Sequence, residues 1–174
     1  FYNDFKKDLI KLRSSKKIKK IGVSVHSNDE ILKVIKNREI GLIQLPFNLL
    51  DNSSQRKEIL ENVNKLGVEI HTRSPFLQGL FFKNFKKLKG NLFYLKQDLL
   101  KISEIVLNKK EISRVALNYA CSKKIIDKVV IGVETLEQLR SNLSALDYEL
   151  SPNIEKRIDK IIVKNQFYLN PVNW

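Results

Sequence analysis

The 174 residues hold one cysteine, Cys121, so no internal disulfide can form and no cysteine cluster can build a structural metal site. Two histidines are present, His26 and His71, each without a second ligand at helical or hairpin spacing. That argues against metal binding and for surface or packed imidazoles. Methionine is absent and the sequence opens on Phe1, from which a fragment, a processed chain or a partial reading frame is expected. No apolar run approaches the roughly 20 residues that cross a bilayer. The opening FYNDFKKDLIKLRSSKKIKK is charged throughout and lacks the apolar segment of a secretion signal. A cytoplasmic protein with no membrane partner is expected. The six glycines and four prolines gather into no linker, so residues 1–174 are expected to form a single domain.

Acidic residues are also scarce: 19 against 32 basic ones, a net charge of +13. Such a charge invites a nucleic-acid partner. The distribution argues against one. Seven of the 32 basic residues are arginine, and the lysines are scattered along the chain. There is no arginine-rich stripe, no paired Cys/His set and no run of interleaved aromatics. The block SSKKIKK at 14–20 could meet phosphate, but basic residues closing a helix explain it more simply.

What the chain does contain is alternation. Apolar spacing predicts a helix over 3–15. IGVSV (21–25) reads as a strand, and HSNDEILKVIKN after it as a helix opened by a capping box, Ser27 with Glu30. GLIQLPF (41–47) is a second strand, stopped by Pro46. SSQRKEILENVNKL (53–66) is a helix with Ile59, Leu60, Val63 and Leu66 on one face and Gly67 as its stop. VEIHT (68–72) is a third strand. An irregular stretch from Ser74 to about Asn91 precedes helices over 92–107 and 111–121. VVIGV (129–133) is the fourth strand. A second capping box, Thr135 with Gln138, opens the next helix. Ser151-Pro152 opens a terminal one carrying Ile154, Ile158, Ile161 and Ile162.

Short apolar strands joined by helices imply an α/β fold with a parallel sheet covered on both faces. A doubly wound sheet usually shows a glycine-rich turn after a strand, and no such motif exists here. A barrel places function where strands end. Polar residues fall at those ends: Ser24, Gln44, Arg73-Ser74, and Gly132 to Thr135. That favours a barrel. An eight-stranded barrel needs about 250 residues, so four units make half of one. The expected fold is half of a (β/α)8 TIM barrel, four parallel strands with outer helices, plus a C-terminal helix. Four strands leave IGVSV and VVIGV as open apolar edges, from which self-association is expected.

The segments KIKKIGVSV, IQLPFNLLD, GVEIHTRSPFLQGL and VVIGVETLEQLRSNL, in that order, resemble the C-terminal half of the aldo/keto reductase family from about residue 9 to 150. The resemblance implies a nicotinamide dinucleotide, NAD(P)H, extended across the C-terminal rim, and a small carbonyl substrate in the parent enzyme. It places Ser24 and Gln44 on the nicotinamide carboxamide, an amide being able to donate and accept at once. Val25 stands where the family usually has asparagine. Arg73 stands where an aromatic usually stacks on the nicotinamide; a guanidinium is also flat. Ser74 and the backbone after it, at Phe76, would meet the pyrophosphate. Gly132, Glu134, Gln138 and Asn142 would hold the adenosine end, with Asn142 on the adenine and the helix N-terminus offering N–H groups to phosphate. Gly132 and Gln138 replace the cations that hold a 2′-phosphate in many members, and Glu134 would suit a free ribose hydroxyl. The resemblance places the catalytic Asp, Tyr, Lys and His in the four preceding units, and neither His26, His71 nor Tyr2 matches them.

Each reading has a plainer counterpart. Ser24 could end a strand, Gln44 could bond a neighbouring strand, and Arg73 could pair with a carboxylate. Phe81, Phe82 and Phe85 read as packing for a long loop, and Cys121 as an inert buried thiol. The reading is the cofactor-binding half of an NAD(P)-dependent reductase, without a tetrad and inactive alone. The alternative is a non-catalytic half-barrel that binds a nucleotide or a protein partner.

Overall fold

The computed structural model describes residues 2–174. Its sheet has four strands, β1 (Ile21–Ser24), β2 (Ile40–Pro46), β3 (Glu69–Arg73) and β4 (Lys128–Val130). They lie side by side in chain order, and every neighbouring pair is parallel. This is the expected half-barrel arrangement. A parallel neighbour requires a crossover, and the chain supplies helices for it. These are α2 (Asn28–Val34), α3 (Ser53–Lys65), and α4 (Lys96–Ile105) with α5 (Ile112–Cys121). α1 (Tyr2–Ser14) leads into β1, and α6 (Leu136–Ala145) and α7 (Pro152–Ile158) follow β4.

The two faces of the sheet are unlike because side chains alternate along a strand. Ile43, Leu45 and Ile70 point to the helices and are fully buried there with Leu60, Val63, Ala116 and Tyr119. The opposite face carries Ser24, Gln44 and His71, abreast in the ladder. These are half-buried or exposed.

Local signals hold at several ends. Ser27 and Glu30 form a full capping box on α2. Gly67 closes α3 at φ +69°, the left-handed region that glycine enters without a Cβ clash. Other boundaries differ from the sequence reading. β4 ends at Val130, three residues early, because pairing stops at Arg73↔Val130 where β3 turns away. A 3₁₀ segment, Gly90–Leu95, takes the first turns of the helix expected from 92. α7 stops at Ile158, and Ile162 is 65% exposed rather than on a buried stripe. Cys121 is exposed at the last position of α5, not buried, and desolvation still raises its thiol pKa. Phe81 and Phe85 are buried and fasten the long loop after β3.

Candidate functional site

Parallel strands release their chains at the same end, so the residues after β1 to β4 share one rim. Ser24, the last residue of β1, lies opposite Gln44, and Gln44 lies opposite His71. Two residues further along, Arg73 lies between Pro46 and Val130. Gln44 is half-buried, and its side-chain amide has no hydrogen-bond partner among the described residues; its main-chain oxygen accepts from Val25 N–H at 2.8 Å. The amide reaches solvent at the rim, where its donor and its acceptor are both available to a ligand.

Arg73 is similarly underused. Among the described residues its guanidinium makes one long contact, 3.5 Å to Ser74 Oγ. Burial lowers its pKa, with Asp51 opposing the shift. Its charge also acts on His26, whose pKa is lowered first by burial and then by Arg73. A half-buried cation without a bonded carboxylate leaves a planar face and free N–H groups at the rim.

The loop after Arg73 departs from expectation. The rule for a residue ahead of proline predicts an extended Ser74. Instead Ser74 sits at φ +60°, followed by Leu77 at +45°, Gln78 at +52° and Gly79 at +72°. Arg73 O still accepts from Phe47 N–H at 3.1 Å, so the strand is held to its last residue. The chain must then leave at once, and Leu77 N–H closes a turn onto Ser74 O at 3.0 Å. Only Gly79 takes a positive φ freely; the others carry strain, which concentrates where function over-determines the backbone. Phe76 packs against Phe82, ring centroids 5.8 Å apart.

Beyond β4, Gly132 has open space on the side a Cβ would occupy. Thr135 caps α6 by accepting from Gln138 N–H at 3.2 Å. The expected box is displaced by one residue: Gln138 Oε1 accepts from Glu134 N–H at 2.8 Å, not from the cap residue. Gln138 is thus bound to its own helix end. Asn142 is 7% exposed, and its amide has no hydrogen-bond partner among the described residues. The structure therefore places Ser24, Gln44, Arg73 and Ser74 along three adjacent strand ends. Gly132, Glu134 and Gln138 follow the fourth.

Two features have no signal in the sequence. A cavity of about 320 Å³ lies beside the rim, walled by His26, Glu30, Asp51, Arg56, Phe167 and Asn173. Its far wall is the C-terminal segment, which carries no recognisable motif. Behind it Arg56 is bonded to both Asp51 oxygens at 2.6 and 2.7 Å, to Asn28 Oδ1 at 2.6 Å and to His26 O at 2.6 Å. That fork ties the loop after β1 to the loop after β2.

Lower on the same face, Glu69 accepts from Lys20, lies 2.7 Å from His71 Nε2 and is 3.9 Å from Lys128 Nζ. The hydrogen bonds from Lys20 and His71 hold its pKa at about 2. A depressed carboxylate stabilises the fold above its ordinary pKa and loses that contribution as pH falls through the folded value. Acid titration should therefore cost stability between about pH 4.5 and 2 in the native chain, and Glu69→Gln should flatten that limb. An unaltered acid limb in the variant would assign the loss to other carboxylates.

Comparison with known proteins follows the same outline. The family model described as "Aldo/keto reductase family" matches residues 2–163. The NADH-specific methylglyoxal reductase of Escherichia coli (strain K12) is 23% identical over 158 residues, 82% of this chain and 48% of the relative. A probable pyridoxal reductase 2 of Schizosaccharomyces pombe is 25% identical over 171 residues, 85% of this chain and 51% of the relative. The solved aldo-keto reductase AKR11C1 from Bacillus halodurans superposes with a TM-score of 0.73 at 21% identity, covering 87% of this chain and 54% of that one. The chain thus spans about half the length of the curated relatives it matches.

Proposed function

The chain belongs to the aldo/keto reductase family, and from that premise we propose that it is the C-terminal, cofactor-binding half of an NAD(P)-dependent reductase, working in the cytoplasm. Members of this family use NAD(P)H. The observation that carries the reading is the idle amide of Gln44, level with Ser24 and just below the unpaired guanidinium of Arg73.

The residues fit the cofactor. Gln44 and Ser24 offer a donor and acceptors for a carboxamide. Arg73 offers a flat cation for the ring, and Ser74 with the backbone at Phe76 borders the path of the pyrophosphate. Gly132 leaves that path open on its Cα side. Asn142 brings a second idle amide for the adenine. When bound, the nicotinamide supplies a hydride to a carbonyl carbon. The chain's own part is to bind, to orient the nicotinamide and to keep water from one side of it. The proton donor belongs to the tetrad that the family resemblance places in the four units preceding these. Relatives named for methylglyoxal and pyridoxal suggest a small carbonyl as substrate of the whole enzyme. The bare interaction-module reading has no observation of its own.

The experiment is calorimetry with NADH and NADPH. Arg73→Ala is expected to weaken binding by roughly 1–2 kcal/mol, the size of a lost cation–π or charged hydrogen-bond contact. A folded variant with unchanged affinity for both cofactors would make Arg73 structural. NADPH is expected to gain nothing over NADH, because no cation stands at Gly132 and Gln138 is held by Glu134 N–H.

Ser74→Gly separates strain from use. Glycine relieves the left-handed backbone, so the thermal midpoint should rise, by about 1 kcal/mol of stability at most. If the hydroxyl meets the pyrophosphate, NADH affinity falls in the same variant. A stabilised variant that binds NADH as before would remove Ser74 from the site.

A further inference from the structure

We propose that the loop after β3 and the C-terminal segment together form a docking surface for an anionic lipid membrane. The contact is peripheral, since no helix among the described residues is long and apolar enough to cross a bilayer. The proposal does not rest on the cofactor reading. It revises the expectation of no membrane partner, which came from the lack of a spanning run; a surface contact needs none.

Charge sets the sign of the partner. Residues 74–97 hold five lysines, Lys83, Lys86, Lys87, Lys89 and Lys96, and no acidic residue. The first four are exposed. Asp98, the first acid after the stretch, is taken by Lys101 at 2.7 Å. Lys109 adds to the cluster: its Nζ reaches Lys83 O at 3.4 Å and stands 5.9 Å from the centre of the Phe85 ring.

Beside the lysines lies open aromatic surface. Phe93, Tyr94 and Phe167 are 57%, 61% and 61% exposed, and Val172 is 86% exposed. Tyr94 stacks on Tyr168 with centroids 4.7 Å apart, and Phe167 meets the same ring edge-on at 5.3 Å. Asn91 Nδ2 donates to Asn173 O at 2.9 Å. Two segments distant in sequence are thus fastened into one surface. Apolar area left open in this way marks a contact site. Rings flanked by lysines suit the headgroup region of a bilayer, where aromatics enter the acyl boundary and lysines meet phosphate.

Ring geometry favours lipid over single-stranded nucleic acid. A base stacks on an open aromatic face. Here Lys96 stands 5.4 Å over Phe93, and Tyr94 gives a face to Tyr168. Arginine, which also stacks on bases, is absent from residues 74–97. A membrane asks for apolar area and positive charge, not for a free ring face.

The other basic block supplies a control. Lys17 and Lys19 precede β1, whereas the proposed surface follows β3, so the two lie at opposite ends of the parallel strands.

Sedimentation of the whole chain with vesicles tests the proposal. Vesicles of phosphatidylcholine with phosphatidylserine should carry the chain down, vesicles of phosphatidylcholine alone should not, and added salt should release it. Lys86→Glu with Lys87→Glu should lower partitioning roughly tenfold or more. Lys17→Glu with Lys19→Glu makes the same change in net charge and should leave partitioning within about twofold. Phe93→Ser with Tyr94→Ser should weaken binding severalfold without altering its salt dependence. Trp174, the one tryptophan, donates to Tyr168 O at 2.8 Å and so reports on this surface. Brominated lipid should quench its emission. No binding to the anionic vesicles, equal losses in the two lysine pairs, indifference to the aromatic pair, or unquenched emission on bound vesicles overturns the proposal. So does a single-stranded oligonucleotide that binds the chain while the vesicles do not. NADH calorimetry on the Lys86→Glu, Lys87→Glu variant should show unchanged affinity. A loss of NADH binding with vesicle binding intact would assign these lysines to the cofactor and overturn the docking surface.

Discussion

Asp51→Asn should destabilise the chain by roughly 3–5 kcal/mol, because it leaves the Arg56 guanidinium buried without a countercharge. Both side chains are nearly sealed from solvent, 3% and 8% exposed. Arg56 uses its fork on both Asp51 oxygens and gives two further N–H groups to Asn28 Oδ1 and His26 O. The loss should therefore reach beyond stability. His26 lies in the loop after β1 and Asn28 opens α2, so loosening Arg56 loosens the rim beside Ser24. Urea unfolding measures the first effect, and NADH calorimetry at a temperature where the variant is folded measures the second. The double variant Asp51→Asn with Arg56→Met removes the stranded charge. It should recover much of the loss, since pairs in direct contact are not additive. If the single variant costs under about 1 kcal/mol, the pair behaves as a surface ion pair and the pinning argument falls.

Asn52→Ala is the second large effect, at roughly 2–4 kcal/mol. Asn52 is fully buried and works in two directions. Its Oδ1 caps α3 by accepting from Ser54 N–H at 2.9 Å. Its Nδ2 donates toward Leu49 O at 3.1 Å and toward Ile158 O and Ile161 O, both at 3.0 Å. Losing the cap costs about 1 kcal/mol. Ile158 O keeps Ile161 N–H at 2.9 Å and Ile161 O keeps Ser54 Oγ at 2.9 Å, so the bonds from Asn52 add about 1 kcal/mol apiece at most. Ile158 O and Ile161 O lie at and just past the end of α7, so the bonds from Asn52 tether that end to the start of α3. The segment after Ile158 should therefore detach first. Limited proteolysis should cut after residue 158 in the variant and spare the native chain, and the cavity wall at Phe167 should go with it. Asn52→Asp keeps an acceptor for the cap but loses the donors. It should release the C-terminal segment while leaving α3 capped; equal protection in both variants would show that the bonds to Ile158 and Ile161 carry little.

Much of this molecule is legible in its sequence. Strand order follows from short apolar runs joined by helices, since parallel neighbours need a crossover and the chain offers no other partner for each strand. Ser27 and Glu30 announce α2 because a capping box is a contact between residues three apart. Gly67 and Gly79 announce left-handed turns because only glycine enters them without strain. Ser24, Gln44, Arg73 and Ser74 stand out because each lies at or near the end of an apolar run.

The tertiary structure alone decides the rest, for one physical reason: spacing along a chain encodes neighbours, not partners brought together from a distance. Asn52 meets carbonyls 106 and 109 residues away, and no pattern near residue 52 marks them. Arg56 reads as one polar residue on a helix, yet it is the buried tie between two loops. Ser74 reads as extended under the local rule for residues before proline, but the hold on Arg73 O by Phe47 forces the turn one residue earlier. Leu136, Leu139 and Leu143 of α6 stand at helical spacing, and only the fold shows that the sheet ends beside them and leaves them exposed.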